Sequence, residues 1–532
     1  MKAQDLVDER AAELLGFEWL RERLAPKSPY GARNFAQVVP YRPGDEEAAQ
    51  ERGLRIAALA EEVKPDRVAA AQAAFDALPD VSSAVARASL NETLQDPDFL
   101  DLCRFCESVE RLDELLAGSS LTEVENDATA AVLTALDPGR NGAPGFYLAD
   151  AFDAELGAAR KVLEQTQAAL DAVRGREAAL VARELQRSEV GDEFIVMRAE
   201  LQGALPAGVR VVRETPAYLL CALEHGDVYL EALARQQQAF DAVAAAELGV
   251  RSQLSAIVGR QAAGMNAVAL ALGQLDVTLA AVHFAQQYEC VAAVVVRENA
   301  LRFEQARFLP LDSELTVAGR SFVPIDLALS GAAVLTGPNM GGKSVSLQTC
   351  GFLALLAAFG VPVPAANARI ALFDRIGWLG LGAESHGGGL LSSFAHELVS
   401  LKKILSDDAE RLLLLADEFA RTTNPHEGRA LVIALLESLR ERGACALVAT
   451  HLQGIAVAAG VRHFAVRGLR EIPQARAATD LSAALRELAE AMDYRIVEVE
   501  DDEIARADAI ALAELLGADA AFVKAAYRAL SQ

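Results

Sequence analysis

The sequence predicts an α-helical core and arm region followed by an α/β domain built around a phosphate-binding loop. Three observations carry that expectation. Residues 1–300 are dominated by Ala, Leu, Glu and Arg at helical spacing, with few strand signals. Gly337-Pro338-Asn339-Met340-Gly341-Gly342-Lys343-Ser344 spells G-x-x-x-x-G-K-S, between a strand-like run, Ala332 to Thr336, and a helical stretch from Val345 onward. Downstream, the leucine-rich run from Arg411 reads as a buried parallel strand that ends in two adjacent carboxylates, Asp417 and Glu418. The expected segments are a helical core over 1–135, helical arms with a reduced clamp-like insertion over 136–300, and the α/β domain over 301–532.

The 532 residues are enough for about two to four domains. With 52% hydrophobic and 23% charged residues, the composition is globular and excludes a disordered or fibrous chain. Met1 to Arg10 is polar and charged, unlike a secretory signal. The uncharged run Ser344 to Ala368 has its apolar centre at Gly351 to Val361. That centre is too short for a membrane span and is followed by Pro362 and Pro364, so it reads as a buried helix and no membrane partner is expected. Cys103 and Cys106 form a C-x-x-C without a second pair or a His cluster, and six cysteines in this length fit a reducing, cytoplasmic location.

Net charge is −25 and unevenly spread. The first 300 residues carry 28 basic and 47 acidic side chains, the remainder 22 and 28. A groove for nucleic acid needs Lys and Arg to displace condensed counterions, so the acidic front is a prior against DNA binding.

In the phosphate loop, glycines let successive N–H groups point inward, and the following helix adds the positive end of its dipole. Lys343 would reach the β- and γ-phosphates, and Ser344 would hold magnesium. Asp417, at the carboxyl end of its strand where open α/β sheets place ligands, is the second magnesium candidate. Glu418 is placed to polarise the attacking water. Ala446 to His451 is another buried strand that ends in Thr-His, and His451 would stand beside the γ-phosphate. The glycine run Gly387-Gly388-Gly389 leads to Ser392-Ser393 at a helix start, a second possible phosphate site.

These residues resemble the MutS family, ATPases of the ATP-binding-cassette class. The Pro338-Asn339-Met340 insert sharpens the likeness beyond a general phosphate loop. Pro364-Ala365 with Ala368, Ser392-Ser393-Phe394 with Glu397, Asp417-Glu418 followed by Arg421, Thr423 and Gly428, and Ala449-Thr450-His451 follow in the family's order. Phe322, in Phe322-Val323-Pro324, occupies the place where the family stacks an aromatic ring on adenine. Ala505 to Gly517 resembles the helix that closes the ATPase domain, and Asp519 can cap a further helix to about Leu530. The loop Thr423-Asn424-Pro425-His426-Glu427-Gly428 departs from the family, since Pro425 stiffens it.

The resemblance covers 301–532 strongly and the front weakly. Ser28-Pro29-Tyr30-Gly31 is similar to the start of the family's helical core, which implies a short form without a mismatch-reading domain ahead of it. Leu156, Leu163 and Leu170 recur every seven residues, with Val173 and Leu180 on a second row, so a long arm helix with an apolar seam is expected. A second helical stretch, Val228 to Gln287, reads as broken at Gly249 and near Gly264. Between the arms, Phe194 to Met197 and Val209 to Val212 read as two short strands around Pro206 and Gly208, where the family inserts its DNA clamp.

The resemblance implies an ATP hydrolase using ATP and magnesium, a homodimer with composite sites in which Ser392 of one subunit faces the phosphates of the other, and ATP-driven movement of the arms. For the client, charge points to a protein, and the short arms and Asn424-Pro425 are similar to MutS-like proteins found beside cobalamin-dependent aminomutases. The alternative is DNA, in mismatch repair or recombination.

Overall fold

Helix follows helix from Glu9 onward until the first short strand, at Glu193. The structure, a computed structural model, describes all residues except 122–125, 141–144, 202, 339–340, 381–392, 407–409, 470–491, 500–509, 511–512, 514–517 and 531–532. Its chain forms two compact units. One comprises Met1–Ala77, Glu114–Glu123 and Leu272–Gln532; the other comprises Leu78–Asp113 and Val124–Ala271. These cut the chain differently from the three sequence segments, because the first 77 residues join the α/β part.

The front helices are α1 (Glu9–Leu14), α2 (Phe17–Arg23), α3 (Pro29–Phe35), α4 (Glu46–Glu62), α5 (Pro65–Asp76), α6 (Ser82–Ser89), α7 (Asp96–Leu116) and α8 (Asp127–Leu136). Helix α1 starts where Asp8 accepts the Ala11 N–H. Ahead of it Leu6 and Val7 are buried, Leu6 accepts the Ile376 N–H at 2.8 Å, and Val7 pairs with Ile376 in parallel, which draws the N-terminal segment onto the α/β part. Helix α3 has Pro29 in its first turn and Ser28 as cap. Ser28 Oγ accepts from Gly31 N and donates to buried Asp276 at 2.7 Å.

In the second unit, α9 (Ala154–Glu184) is the expected long helix. Leu156 and Leu170 are buried and Leu163 half-buried, but Leu180 of the second row is exposed. Three antiparallel strands follow: β1 (Glu193–Met197), β2 (Val209–Glu214) and β3 (Tyr218–Leu223), in the order β1-β3-β2. The central strand β3 was not expected: its run is apolar almost throughout and passes at once into a helical pattern, which hides a period of two. Val181 of α9 packs against Phe194, Val196, Leu219 and Cys221 of this sheet.

Helix α10 (Asp227–Gln287) is continuous, which corrects the breaks expected at Gly249 and near Gly264. An interior glycine costs about 1 kcal/mol against alanine, too little to stop a helix that neighbours hold. Three of its glycines are where those neighbours come close: a Cβ at Gly259 would stand 2.4 Å from Ala88 O, one at Gly264 would stand 2.5 Å from Ala128 Cβ, and one at Gly273 would stand 2.8 Å from Tyr30 O. By length and composition α10 is apolar enough to cross a membrane, yet over half of its apolar window is buried within the protein.

In the first unit, β4 (Val294–Val296) and β5 (Ala300–Ala306) lead through α11 (Leu309–Val317) to β6 (Ile325–Ser330) and β7 (Ala332–Thr336). After α12 (Lys343–Ala358) come β8 (Asn367–Ala371), β9 (Arg375–Gly380), α13 (Ser393–Ser406), β10 (Leu412–Asp417), α14 (Pro425–Glu441), β11 (Cys445–Ala449), α15 (Ile455–Ala459), β12 (Arg462–Leu469) and β13 (Met492–Glu498). A last helix, α16, spans Ala520–Leu530, with Asp519 accepting from Ala521 N and Phe522 N as its cap.

Six strands make the main sheet in the order β13-β12-β7-β11-β10-β9, all parallel except β13, and β4-β8-β5-β6 make a second. Leu412 to Ala416 and the whole of β11 are buried, the continuous apolar pattern of a parallel sheet covered on both faces. The apolar Gly351 to Val361 is likewise buried.

Candidate nucleotide site

The central strands β7, β10 and β11 are parallel, so the Thr336, Asp417 and Ala449 ends share one edge of the sheet. The loop from Gly337 to Gly342 leaves β7 there and turns into α12, whose first residue is Lys343. Gly342 holds φ +85°, and a Cβ on it would press on the Tyr494 ring at 3.2 Å. A Cβ on Gly341 would meet Pro338 O at 2.9 Å, so the loop closes on itself only with hydrogen at that position. Asn339 and Met340 lie outside the described residues.

Lys343 is buried, and its ammonium donates to the carbonyls of Gly337 at 2.8 Å and Pro338 at 3.2 Å. Burial lowers its pKa, against the pull of the Glu418 and Asp417 carboxylates. Ser344 Oγ donates to Asp417 Oδ2 at 2.6 Å. Burial raises the Asp417 carboxyl above the usual Asp range; the Ser344 hydrogen bond acts in the opposite sense and the Glu418 charge adds to the rise. A half-buried carboxylate and an exposed hydroxyl turned to each other beside an ammonium are the donor set that magnesium and a triphosphate need.

Gly380 lets the neighbouring strand pass. It pairs with Asp417, and a Cβ there would stand 2.1 Å from Asp417 O. Arg10 of α1 donates to Gly380 O, a contact no local pattern announces.

The turn after β10 is strained. Glu418 and Ala420 hold φ +52° and +62°, a left-handed conformation that costs an L-residue about 1–2 kcal/mol each. Glu418 N donates to Ala449 O at 3.0 Å, and its carboxylate pairs with Arg421 at 2.7 Å. The turn ends in a well-made helix start: Asn424 accepts the His426 N–H and Pro425 takes the first turn of α14. The unexpected Asn-Pro therefore starts a helix.

His451 follows β11 directly and is exposed, while Thr450 N donates to Leu335 O at 3.0 Å beside the phosphate loop. Phe322 is half-buried in the segment before β6. Ser392 and the glycine run before it lie outside the described residues, as do most of Ala505 to Gly517.

Two neighbours of the loop were missed in the sequence. Tyr494 on β13 lies against Gly342; burial raises its phenol pKa, opposed by the guanidinium of Arg320. His463 Nε2 is 2.8 Å from Thr336 Oγ1, at the end of β7. Neither belongs to a motif, and only strand order brings them near. By contrast Cys103 and Cys106 are buried in α7, with thiols pushed up to about 11 and about 12, which makes them unreactive. No group of three or more His, Cys, Asp or Glu suited to a metal occurs among the described residues.

A family model described as MutS domain V matches residues 333–532. Endonuclease MutS2 of Geobacillus thermodenitrificans is 34% identical over 202 residues, which cover 37% of this chain and 25% of that protein. The protein of the same name from Clostridium botulinum is 28% identical over 270 residues, 49% of this chain and 32% of its own length. That of Agathobacter rectalis is 25% identical over 408 residues, 72% of this chain and 49% of its length. The matches thus span between a quarter and about half of those relatives.

Proposed function

We propose that residues 333–532, which match the family model described as MutS domain V, work as an ATPase domain, and that this chain binds ATP with magnesium, hydrolyses it, and changes conformation as it does so. The observation that carries the reading is the 2.6 Å bond between Ser344 and Asp417, which joins the phosphate loop to the end of β10. Lys343 exchanges the Gly337 and Pro338 carbonyls for the β- and γ-phosphate oxygens. Ser344 and Asp417 would hold magnesium, which would supply charge neutralisation at the phosphates. Glu418 leaves Arg421 and takes a proton from the water that attacks the γ-phosphorus, as the bond to the β-phosphate oxygen breaks and ADP leaves. His451 orients the same water from the end of β11. Phe322 stacks on the base end of the nucleotide.

In Glu418→Gln, ATP binding stays and hydrolysis falls by about 10²–10⁴-fold, the usual contribution of a general base. Hydrolysis at the parent rate would remove Glu418 from that role.

Two copies of the chain would complete the site, with Ser392 of one supplied to the phosphates of the other. Nucleotide-dependent dimerisation of Glu418→Gln, read by light scattering, tests this. For the client, the relatives' name, an endonuclease, favours DNA; a protein client rests on charge and on the likeness of the short arms and Asn424-Pro425, and the comparisons lend it no support. DNA binding whose affinity falls steeply with salt supports the DNA reading, and its absence at low salt removes it.

A further inference from the structure

We propose that Glu397 is a positioning residue: from α13 it fixes the backbone of Ala420 and so sets where the Glu418 carboxylate stands. The inference rests on the ATPase reading and deepens it.

Glu397 is buried. Its Oε2 accepts the Ala420 N–H at 3.0 Å, and its Oε1 is buried with no hydrogen-bond partner among the described residues. A buried carboxylate with one idle oxygen is a poor packing element, since burial disfavours the charge that an apolar side chain would not carry. Burial does raise its pKa, and Arg10, which reaches Gly380 O, is the charge that opposes the rise. What the carboxylate secures is one N–H in a turn of two left-handed non-glycine residues, Glu418 and Ala420.

Among the described residues, Glu418 N donates to Ala449 O, Arg421 N donates to Glu418 O at 3.2 Å, Thr423 N donates to Ala420 O at 3.2 Å, and Ala420 N donates to Glu397. The first ties the turn to the sheet and the next two are internal, so Glu397 ties it to α13. Without it, a buried N–H loses its acceptor and Ala420 relaxes out of the left-handed region. The backbone at Glu418, two residues away, turns with it and carries the carboxylate off the attacking water.

The test is ATP hydrolysis and fluorescent-nucleotide binding by the full chain, with Glu418→Gln alongside. Glu397→Ala lowers kcat by about tenfold or more, with KM and nucleotide Kd within about twofold, because misplacement by an ångström is enough to cost such a factor. Glu397→Gln still offers an oxygen to Ala420 N–H and returns the rate to within about threefold of the parent. Ala420→Gly in the Glu397→Ala background recovers part of the loss, since glycine adopts the left-handed conformation freely. If Glu397→Ala does not fold, Glu397→Met fills the same space without the acceptor and gives the same reading.

A kcat within about twofold of the parent in Glu397→Ala or Glu397→Met overturns the proposal. So does a joint fall of kcat and nucleotide affinity that neither Gln nor the Ala420→Gly change relieves, which marks a purely structural residue. A parent chain that does not hydrolyse ATP defeats the ATPase reading and this proposal together; an active parent with indifferent Glu397 variants defeats this proposal alone.

Discussion

Strand β10 and the first half of α10 are both rich in apolar residues, and they spend them differently. Leu412 to Ala416 are all buried, whereas Val228, Leu230, Leu233, Phe240 and Leu248 on α10 are exposed. The strand sits in the middle of a sheet covered on both faces, and the charges at its end, Asp417 and Glu418, stay placed only if the strand does. The helix keeps its backbone hydrogen bonds within itself, so it persists with much of its surface in water. Resistance to local opening should therefore concentrate around β7, β10 and β11, and fall off along the exposed stretches of α9 and α10.

The sharpest way to break this comparison is to remove matched side chains. Leu414→Ala should cost about 2–5 kcal/mol, the range for emptying a packed core site. Leu248→Ala on the exposed face of α10 should change stability by no more than about 0.5 kcal/mol. Denaturant unfolding of both variants checks this, and equal losses would mean that burial does not separate the two regions.

Nucleotide provides the next largest effect. At about a hundred times its Kd, an ATP analogue with magnesium should stabilise the folded state by about 2.7 kcal/mol. Hydrogen exchange should place the added protection in β7, β10 and β11, not in β1 to β3. The pH dependence has a definite sign. Asp417 has its folded pKa raised by burial, so without ligand its contribution to stability improves as pH falls through that raised value toward the ordinary Asp range. Magnesium requires the carboxylate, so stabilisation by the metal is full above the raised pKa and fades as pH falls through it. The fading begins at a higher pH than an ordinary aspartate would give. Insensitivity to Asp417→Asn would remove it as a ligand.

The candidate nucleotide site was legible in the sequence as a grouping because its strand, loop and helix are contiguous between Ala332 and Ala358, and because Asp417 and Glu418 close one apolar strand. What stayed hidden depends on the distant chain. The left-handed Glu418 and Ala420 carry no glycine to announce them. Glu397 meets Ala420 only after α13 and β10 have packed, and Tyr494 reaches Gly342 from an antiparallel strand more than a hundred residues later. The N-terminal Leu6 and Val7 join β9 across the length of the chain. The same holds at the front: glycine at 249 and 264 predicts breaks in α10, but tertiary packing decides whether a glycine breaks a helix, and α10 is continuous.

The glycines of α10 give the smallest effects, and they divide that helix itself. At Gly259 an added methyl would stand 2.4 Å from a backbone oxygen of α6, which cannot swing aside as a side chain would. Gly259→Ala should therefore destabilise by about 1–3 kcal/mol, as overpacking does. Gly249 is exposed, with nothing within 4 Å of the position a Cβ would take. Gly249→Ala should stabilise by about 0.5–1 kcal/mol, since alanine loses less backbone entropy than glycine on entering a helix. Both variants can be ranked by thermal unfolding. If Gly249→Ala destabilises, the helix needs flexibility or a bend at that point, and its continuity would hold only in the state described. If Gly259→Ala is neutral, α6 and α10 can separate at little cost, and that contact is as loose as the exposed half of the helix.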